Sequence, residues 1–283
     1  MAVSNVLDEI IDDTRELVAK RKKETPIAEL KDRPFYDDRE PLSLVEALQQ
    51  KGMSFITEVK KASPSKGVIR DNFDPAKIAQ QYAANDASAI SVLTEPLHFQ
   101  GSIEHLAWIR AHVPDTPLLR KDFIVDPYQL VEARAVGADA VLLIATALAP
   151  GQLSELHHAA TELGLSCLVE VYSHDDLEKI DWDQVQILGV NNRDLTTFEV
   201  DIENSLRIFD NVPRSVGRVA ESHDTVTCHA RASNEQALGF YKHLGFEVER
   251  HIRNYYEDGG DAYYLKLGGS GGIAEKLTDF VRG

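Results

Sequence analysis

Sulfur is scarce in this chain. Two cysteines, Cys167 and Cys228, stand far apart among 283 residues, with no CxxC spacing. That argues against a disulfide framework or a zinc site and leaves two buried free thiols as the expectation. Long apolar runs are missing too, and none approaches the roughly 20 residues that a membrane helix needs. The N-terminal stretch turns acidic at Asp8-Glu9 and lacks the basic-then-apolar order of a secretory leader, so a cytoplasmic location is expected. Basic residues are in deficit, 30 against 46 acidic, for a formal net charge of -16. Such a surface repels phosphate backbones and anionic lipid, which excludes nucleic acid and membrane as partners. An anionic substrate then requires cations concentrated locally. The acidity itself fits a solvated surface adapted to high salt. Finally, no GxGxxG follows the first strand candidate, which disfavours a dinucleotide fold.

What is present suits a large α/β domain. Apolar residues make up 43% of the chain, enough for a substantial core. Val6, Leu7, Ile10, Ile11, Leu17 and Val18 recur at helical spacing, so residues 4–31 read as an amphipathic helix and its exit. Strand-like runs follow near 55–60, 89–94, 117–121, 139–145, 165–171, 185–191 and 216–221. Two of them, Ala89–Leu93 and Ala140–Ile144, are almost wholly apolar, as strands buried on both faces of a parallel sheet are. Helix starts stand between them: Asp74-Pro75 and Asp126-Pro127 pair an N-cap with proline at the first helical position, and Ser102 and Ser173 are further N-caps. Gly137 and Gly164 read as helix stops. Strand–helix units at roughly 25-residue spacing favour a (β/α)8 barrel over a doubly wound sheet.

In such barrels chemistry collects at the C-terminal strand ends. Those ends carry Glu58 and Lys60, Thr94-Glu95, Lys121-Asp122, Thr146, Glu170, Asn191-Asn192-Arg193 and Glu221-Ser222. On the first strand, alternation puts Glu58 and Lys60 on one face and Val59 on the other. Each of these alone is commonly an ordinary polar strand end. Two lysines, several carboxylates and an asparagine at one mouth make a site.

The segments Thr57–Gly67, Leu93-Thr94-Glu95 with Phe99–Ser102, Leu119–Ile124, Leu168–Val171, Gly189–Leu195 and Val219–Ser222 closely resemble, in order and spacing, the motifs of the indole-3-glycerol phosphate synthase family. The resemblance runs from about residue 4 to 222. It implies a TIM barrel with an N-terminal helical extension over the mouth. It also implies one reaction of tryptophan biosynthesis, without metal or organic cofactor, by a carbon–carbon lyase. The substrate, 1-(2-carboxyphenylamino)-1-deoxyribulose 5-phosphate, closes a ring, loses CO2 and loses water. By the same resemblance Lys121 is the general acid, Lys60 and Glu170 share the proton transfers of dehydration, and Glu58, Asn191 and Glu221 orient them. Which lysine serves which step stays open. Ser63 and Ser222 join the substrate shell, Arg193 holds an anionic group, and Phe99 and Phe123 wall the aromatic ring, ordinary core packing being the alternative for the two phenylalanines. A small phosphorylated substrate and a monomeric state are the expectations for partners.

Past Ser222 the pattern stops. His223 stands where a phosphate-binding glycine is expected, and the eighth strand unit is atypical or replaced. Residues 226–267 instead resemble the C-terminal part of a GNAT-type N-acetyltransferase, through Asn234-Glu235-Gln236-Ala237-Leu238-Gly239-Phe240-Tyr241-Lys242-His243-Leu244-Gly245-Phe246. The expected division is a barrel over 1–222 and an atypical tail over 223–283. The pyrophosphate loop of acetyltransferases is not matched: Arg214–Val219 comes near it but places Val219 where a small residue belongs. Lyase, inactive chimera and, behind them, N-terminal acetyltransferase are therefore the three functions to separate. Residues 261–267 are a strand candidate with two outcomes. Pairing beside the first strand closes the barrel, with Gly268–Gly272 as a phosphate turn and 273–282 as a helix. Pairing with 246–253 in a hairpin leaves an open edge, and Gly268–Gly272 is then a linker.

Overall fold

A computed structural model describes residues 5–49, 54, 56–64, 67–69, 72–197, 199, 201, 204–209, 211–212, 225–231, 233, 238, 247–253 and 260–268. The chain divides into two compact units, 1–48 with 55–208 and 49–54 with 209–283. The expected boundary at 222/223, the expected strand at 216–221, the near-loop 214–219 and the helix at 273–282 lie outside the described residues.

In the first unit one parallel sheet is built from β1 (Ile56–Val59), β4 (Ala89–Leu93), β5 (Leu118–Lys121), β6 (Ala140–Ile144), β7 (Ser166–Val171) and β8 (Ile187–Val190). A short hairpin, β2 (Ala62–Ser63) and β3 (Gly67–Val68), lies between the first two. Spatial order follows chain order, β1-β4-β5-β6-β7-β8, and neighbouring pairs are parallel. A doubly wound sheet reverses direction at a switch point, whereas this order runs one way, as a barrel wall does. All five residues of β4 and of β6 are buried, which accounts for their unbroken apolar runs.

Local sequence sets the helices. Asp74 caps α5 (Pro75–Ala84), Ser102 caps α6 (Ile103–His112), Asp126 caps α7 (Pro127–Ala135) with a full capping box, and Ser173 caps α9 (His174–Leu177). Helix α8 (Pro150–Glu162) also starts with proline. Gly137 and Gly164 take φ of +84° and +73° where α7 and α8 end, angles that a side chain would strain.

The N-terminal segment forms α1 (Val6–Glu24), α2 (Ile27–Lys31), α3 (Pro34–Asp37) and α4 (Leu44–Leu48). Leu7, Ile10, Ile11 and Val18 of the expected apolar stripe of α1 are buried, while Val6 and Leu17 are half-buried and Thr14, outside that stripe, is buried and donates to the Ile10 carbonyl. The segment is tied to the start of β6 by Asp139, which is fully buried. Its carboxylate accepts from Arg39 at 2.5 Å, from the Leu42 and Leu118 amides at 2.7 Å each, and from Arg110.

The second unit contains β9 (Thr225–Arg231), β10 (Glu247–Ile252) and β11 (Ala262–Gly268), antiparallel in the order β10-β11-β9. Strand β11 is central, so β10 and β9 use both of its edges. Of the two outcomes open for 261–267, pairing beside the first strand is not the one found: a strand hydrogen-bonded on both sides has no edge left for β1. The hairpin alternative is the one found. Of the presumed linker, Gly268 ends β11 and the following residues lie outside the described ones.

Among the described residues no helix is long and apolar enough to cross a membrane, and no cluster of three or more His, Cys, Asp or Glu is placed to hold a metal. Cys167 is buried and free, its thiol pushed up to about 12 by burial. The Cys228 side chain lies outside the described residues.

Candidate functional site

The C-terminal ends of the parallel strands open into a cavity of about 390 Å³. Glu58 and Lys60 come from β1 and the residue after it, Ser63 from β2, Lys121 from the last position of β5, Glu170 from β7, and Asn191 and Arg193 from the segment after β8. Phe99 and Phe123 complete the set. On β1, Val59 is 1% exposed on the opposite face from Glu58 and Lys60, as strand alternation requires.

Glu58 is the electrostatic centre. Its Oε2 accepts from Lys121 Nζ at 2.5 Å, and its Oε1 pairs with Lys60 Nζ. Burial pushes the Glu58 carboxyl up, but the Lys121 and Lys60 ammoniums outweigh it and hold the group below its ordinary value. One carboxylate thus keeps two lysines together at one wall. These are the concentrated cations that an anionic substrate needs in so acidic a protein.

The second carboxylate of the cavity is Glu170. Its Oε1 accepts from Asn191 Nδ2 at 3.0 Å, while Asn191 Oδ1 accepts from the Arg193 amide at 2.9 Å. Burial raises the Glu170 carboxyl above its ordinary value; Lys121 and the Asn191 hydrogen bond oppose the rise, and the Glu58 charge adds to it. Two carboxylates in one cavity are therefore pushed in opposite directions, the arrangement that separates acid from base duties.

The rings of Phe99 and Phe123 lie 6.3 Å apart, tilted by 36°. Leu93, Leu142, Ile144 and Leu195 line the cavity beside them and make an apolar slot next to the charged wall. Sequence inspection of polar strand ends passes over these aliphatic residues. The usable signal is parity, since Leu142 and Ile144 are two apart on β6 and share a face.

Other polar strand ends serve the scaffold. Glu95, 1% exposed, accepts from the amides of Leu97, His98 and Phe99 at 2.8, 2.7 and 2.9 Å and so folds the loop that carries Phe99. Thr146 donates to Asp176 at 2.7 Å. Asp122 touches the cavity, but its Oδ2 also accepts from Thr94 at 2.7 Å and Arg120 at 2.8 Å. Glu221 and Ser222 lie outside the described residues, as does His223.

A family model described as "Indole-3-glycerol phosphate synthase" matches residues 7–241. Its span exceeds the stretch, ending near 222, over which the motifs are legible by eye. The indole-3-glycerol phosphate synthase of Salinibacter ruber is 80% identical over 218 residues, covering 77% of this chain and 81% of the relative. That of Rhodopirellula baltica is 46% identical over 221 residues, covering 77% and 83%. Among solved structures, the NatC complex bound to Gag peptide and CoA aligns with 24% of this chain and 42% of its own at 23% identity, with a TM-score of 0.20, too low to carry an argument. With a sheet wound in one direction, two lysines on one carboxylate at its C-terminal mouth and a family match over most of its length, the chain belongs to the indole-3-glycerol phosphate synthases, decarboxylating lyases on the (β/α)8 barrel.

Proposed function

We propose that the chain converts 1-(2-carboxyphenylamino)-1-deoxyribulose 5-phosphate to indole-3-glycerol phosphate, CO2 and water, through the residues around the cavity. The carrying observation is Glu58 gripping Lys60 and Lys121 in the same cavity as the Glu170–Asn191 pair, with apolar residues lining it beside them. In this reading the anthranilate ring lies against the wall formed by Phe99 and Phe123, with its amino-ketose chain toward the lysines. The ring carbon bearing the carboxylate attacks the ketone carbon while Lys121 donates a proton to the ketone oxygen, forming the new C–C bond and a hydroxyl. The C–CO2 bond then breaks, CO2 leaves and the ring regains its electron pair. Finally the hydroxyl departs as water, with Lys60 and Glu170 sharing the proton transfers. Glu58 and Asn191 orient these groups. Ser63 and the Arg193 guanidinium receive the substrate's anionic groups. Glu221 and Ser222 belong to the same polar shell through their family motif.

No cofactor enters this scheme. We place the enzyme in the cytoplasm as a monomer, with a barrel over 1–222 and an acetyltransferase-like tail over 223–283. That tail provides no reason to assign acetyl transfer, because Arg214–Val219 does not match an acetyl-CoA pyrophosphate loop.

The test is formation of indole-3-glycerol phosphate followed by fluorescence, with acetyl-CoA consumption on an N-terminal peptide measured alongside. The wild type is expected to make the indole product and leave acetyl-CoA untouched. Lys121→Ala, at a half-buried position, is expected to keep the far-UV spectrum and to lose about 10²–10⁴-fold in turnover. Turnover of Lys121→Ala near the wild-type value sinks the role of Lys121. An inert wild type sinks the lyase reading and favours the inactive chimera.

A further inference from the structure

The two aromatic walls of the cavity hang from loops that one helix grips. Phe99 lies in the loop after β4, which is folded tightly. Glu95 binds three of its amides, Gln100 has φ of +50°, and a Cβ at Gly101 would stand 2.5 Å from the Leu93 carbonyl oxygen. With so little freedom, His98 and Phe99 move together. His98 reaches α1, where its Nε2 lies 2.9 Å from Asp13 Oδ2.

Phe123 lies in the loop after β5, which α1 holds further along its length. Lys22 Nζ lies 2.7 Å from Asp126 Oδ2, the N-cap of α7. Arg21 donates to Glu132 at 3.1 Å, and Glu132 also accepts from Arg120. The Arg120 guanidinium bonds Asp122, whose Oδ1 accepts from the Phe123 amide at 2.9 Å. A single helix of 19 residues thus connects to both walls.

We propose that α1 is a strut that sets the separation of the Phe99 and Phe123 rings, and that Asp13 and His98 are positioning residues for the substrate's aromatic ring. This rests on the ring-closure reading above. Magnitude favours a geometric role over a stabilising one. The Asp13 and His98 side chains are 44% and 24% exposed, and a polar contact that exposed contributes about 0–1 kcal/mol to stability. A shifted wall of the ring's slot, by contrast, weakens ground-state and transition-state binding alike and shows as a higher KM.

The test compares Asp13→Ala with Asp12→Ala. Both remove one carboxylate from α1, but among the described residues Asp12 pairs with Arg15 of the same helix, at 3.0 Å. Asp13→Ala is expected to raise KM for the carboxyphenylamino substrate about 3–10-fold, with kcat within about twofold and Tm little changed. Asp13→Glu should restore KM, and Asp12→Ala should match the wild type. Because Asp13 acts through Phe99, Asp13→Ala added to Phe99→Ala should cost nothing more. A second readout needs no turnover. In protein labelled with 4-fluorophenylalanine, the Phe99 ¹⁹F resonance, assigned with Phe99→Leu, should move in Asp13→Ala and not in Asp12→Ala. An unmoved resonance, an unchanged KM, or effects that multiply in the double variant overturn the strut. An inert wild type defeats the lyase reading separately, while the fluorine shift still judges whether α1 positions the ring.

Discussion

Glu170 shows how one residue carries opposed demands. Burial lifts its carboxyl above the ordinary value despite the Asn191 hydrogen bond. The folded state therefore binds this proton more tightly than the unfolded chain does. Stability from this group is present below the unfolded value, 4.5, and falls as pH rises from there to the raised folded value. Glu170→Gln removes the penalty and keeps an acceptor for Asn191. Its Tm is expected to exceed that of the wild type at pH 8 and to converge with it near pH 4, while turnover falls by about 10²-fold or more. Thermal melts across that range, paired with rates, check both signs. A Tm below the wild type at pH 8 would mean that the ionised carboxylate is stabilising in this cavity. The same residue was recognisable as a site candidate from a strand-end glutamate in Leu168-Val169-Glu170-Val171. Its raised proton affinity was not, because that comes from burial in a cavity that Leu142 and Ile144 of β6 and Phe123 of the loop after β5 help to line.

At the scale of elements, capping chemistry predicted the helix starts well because it is local. Asp74, Ser102, Asp126 and Ser173 each bond an amide within three residues. The attachment of the N-terminal helices to the sheet is not local. It depends on Asp139, which bonds Arg39 and Leu42 of the extension, 100 and 97 positions away, together with Arg110 and Leu118 of the barrel. Asp139→Asn leaves the nearly fully buried Arg110 guanidinium without its counter-ion, a change that costs about 3–5 kcal/mol. At this chain length that corresponds to a Tm lower by roughly 6–20 °C. Differential scanning calorimetry reads the loss directly. A shift under a few degrees would show that the Arg110 bonds to the Gly137, Val113 and Pro114 carbonyls suffice.

Across the whole molecule the net charge of -16 acts as self-repulsion. The screening length falls from about 10 Å at 0.1 M salt to about 3 Å at 1 M, so repulsion between surface carboxylates weakens over that range. Tm is expected to rise by several degrees from low to molar potassium chloride. A flat or falling Tm would refute adaptation of the surface to salt.

What the residues determined by themselves was local: strand and helix periods, caps, left-handed glycines and the set of polar strand ends. These were enough to indicate a barrel and to bring Glu58, Lys60, Lys121, Glu170, Asn191 and Arg193 forward together. Tertiary structure decided which polar ends face the cavity and which brace the scaffold. Glu95 and Thr146 look no different in the sequence from Glu58, yet they bond a loop and Asp176. It also decided the partners of residues 262–268. A strand such as Ala262–Gly268 specifies which side chains share a face, but not which strand lies alongside. That choice is a competition between edges distant in sequence, and here β9 and β10 occupy both edges of β11.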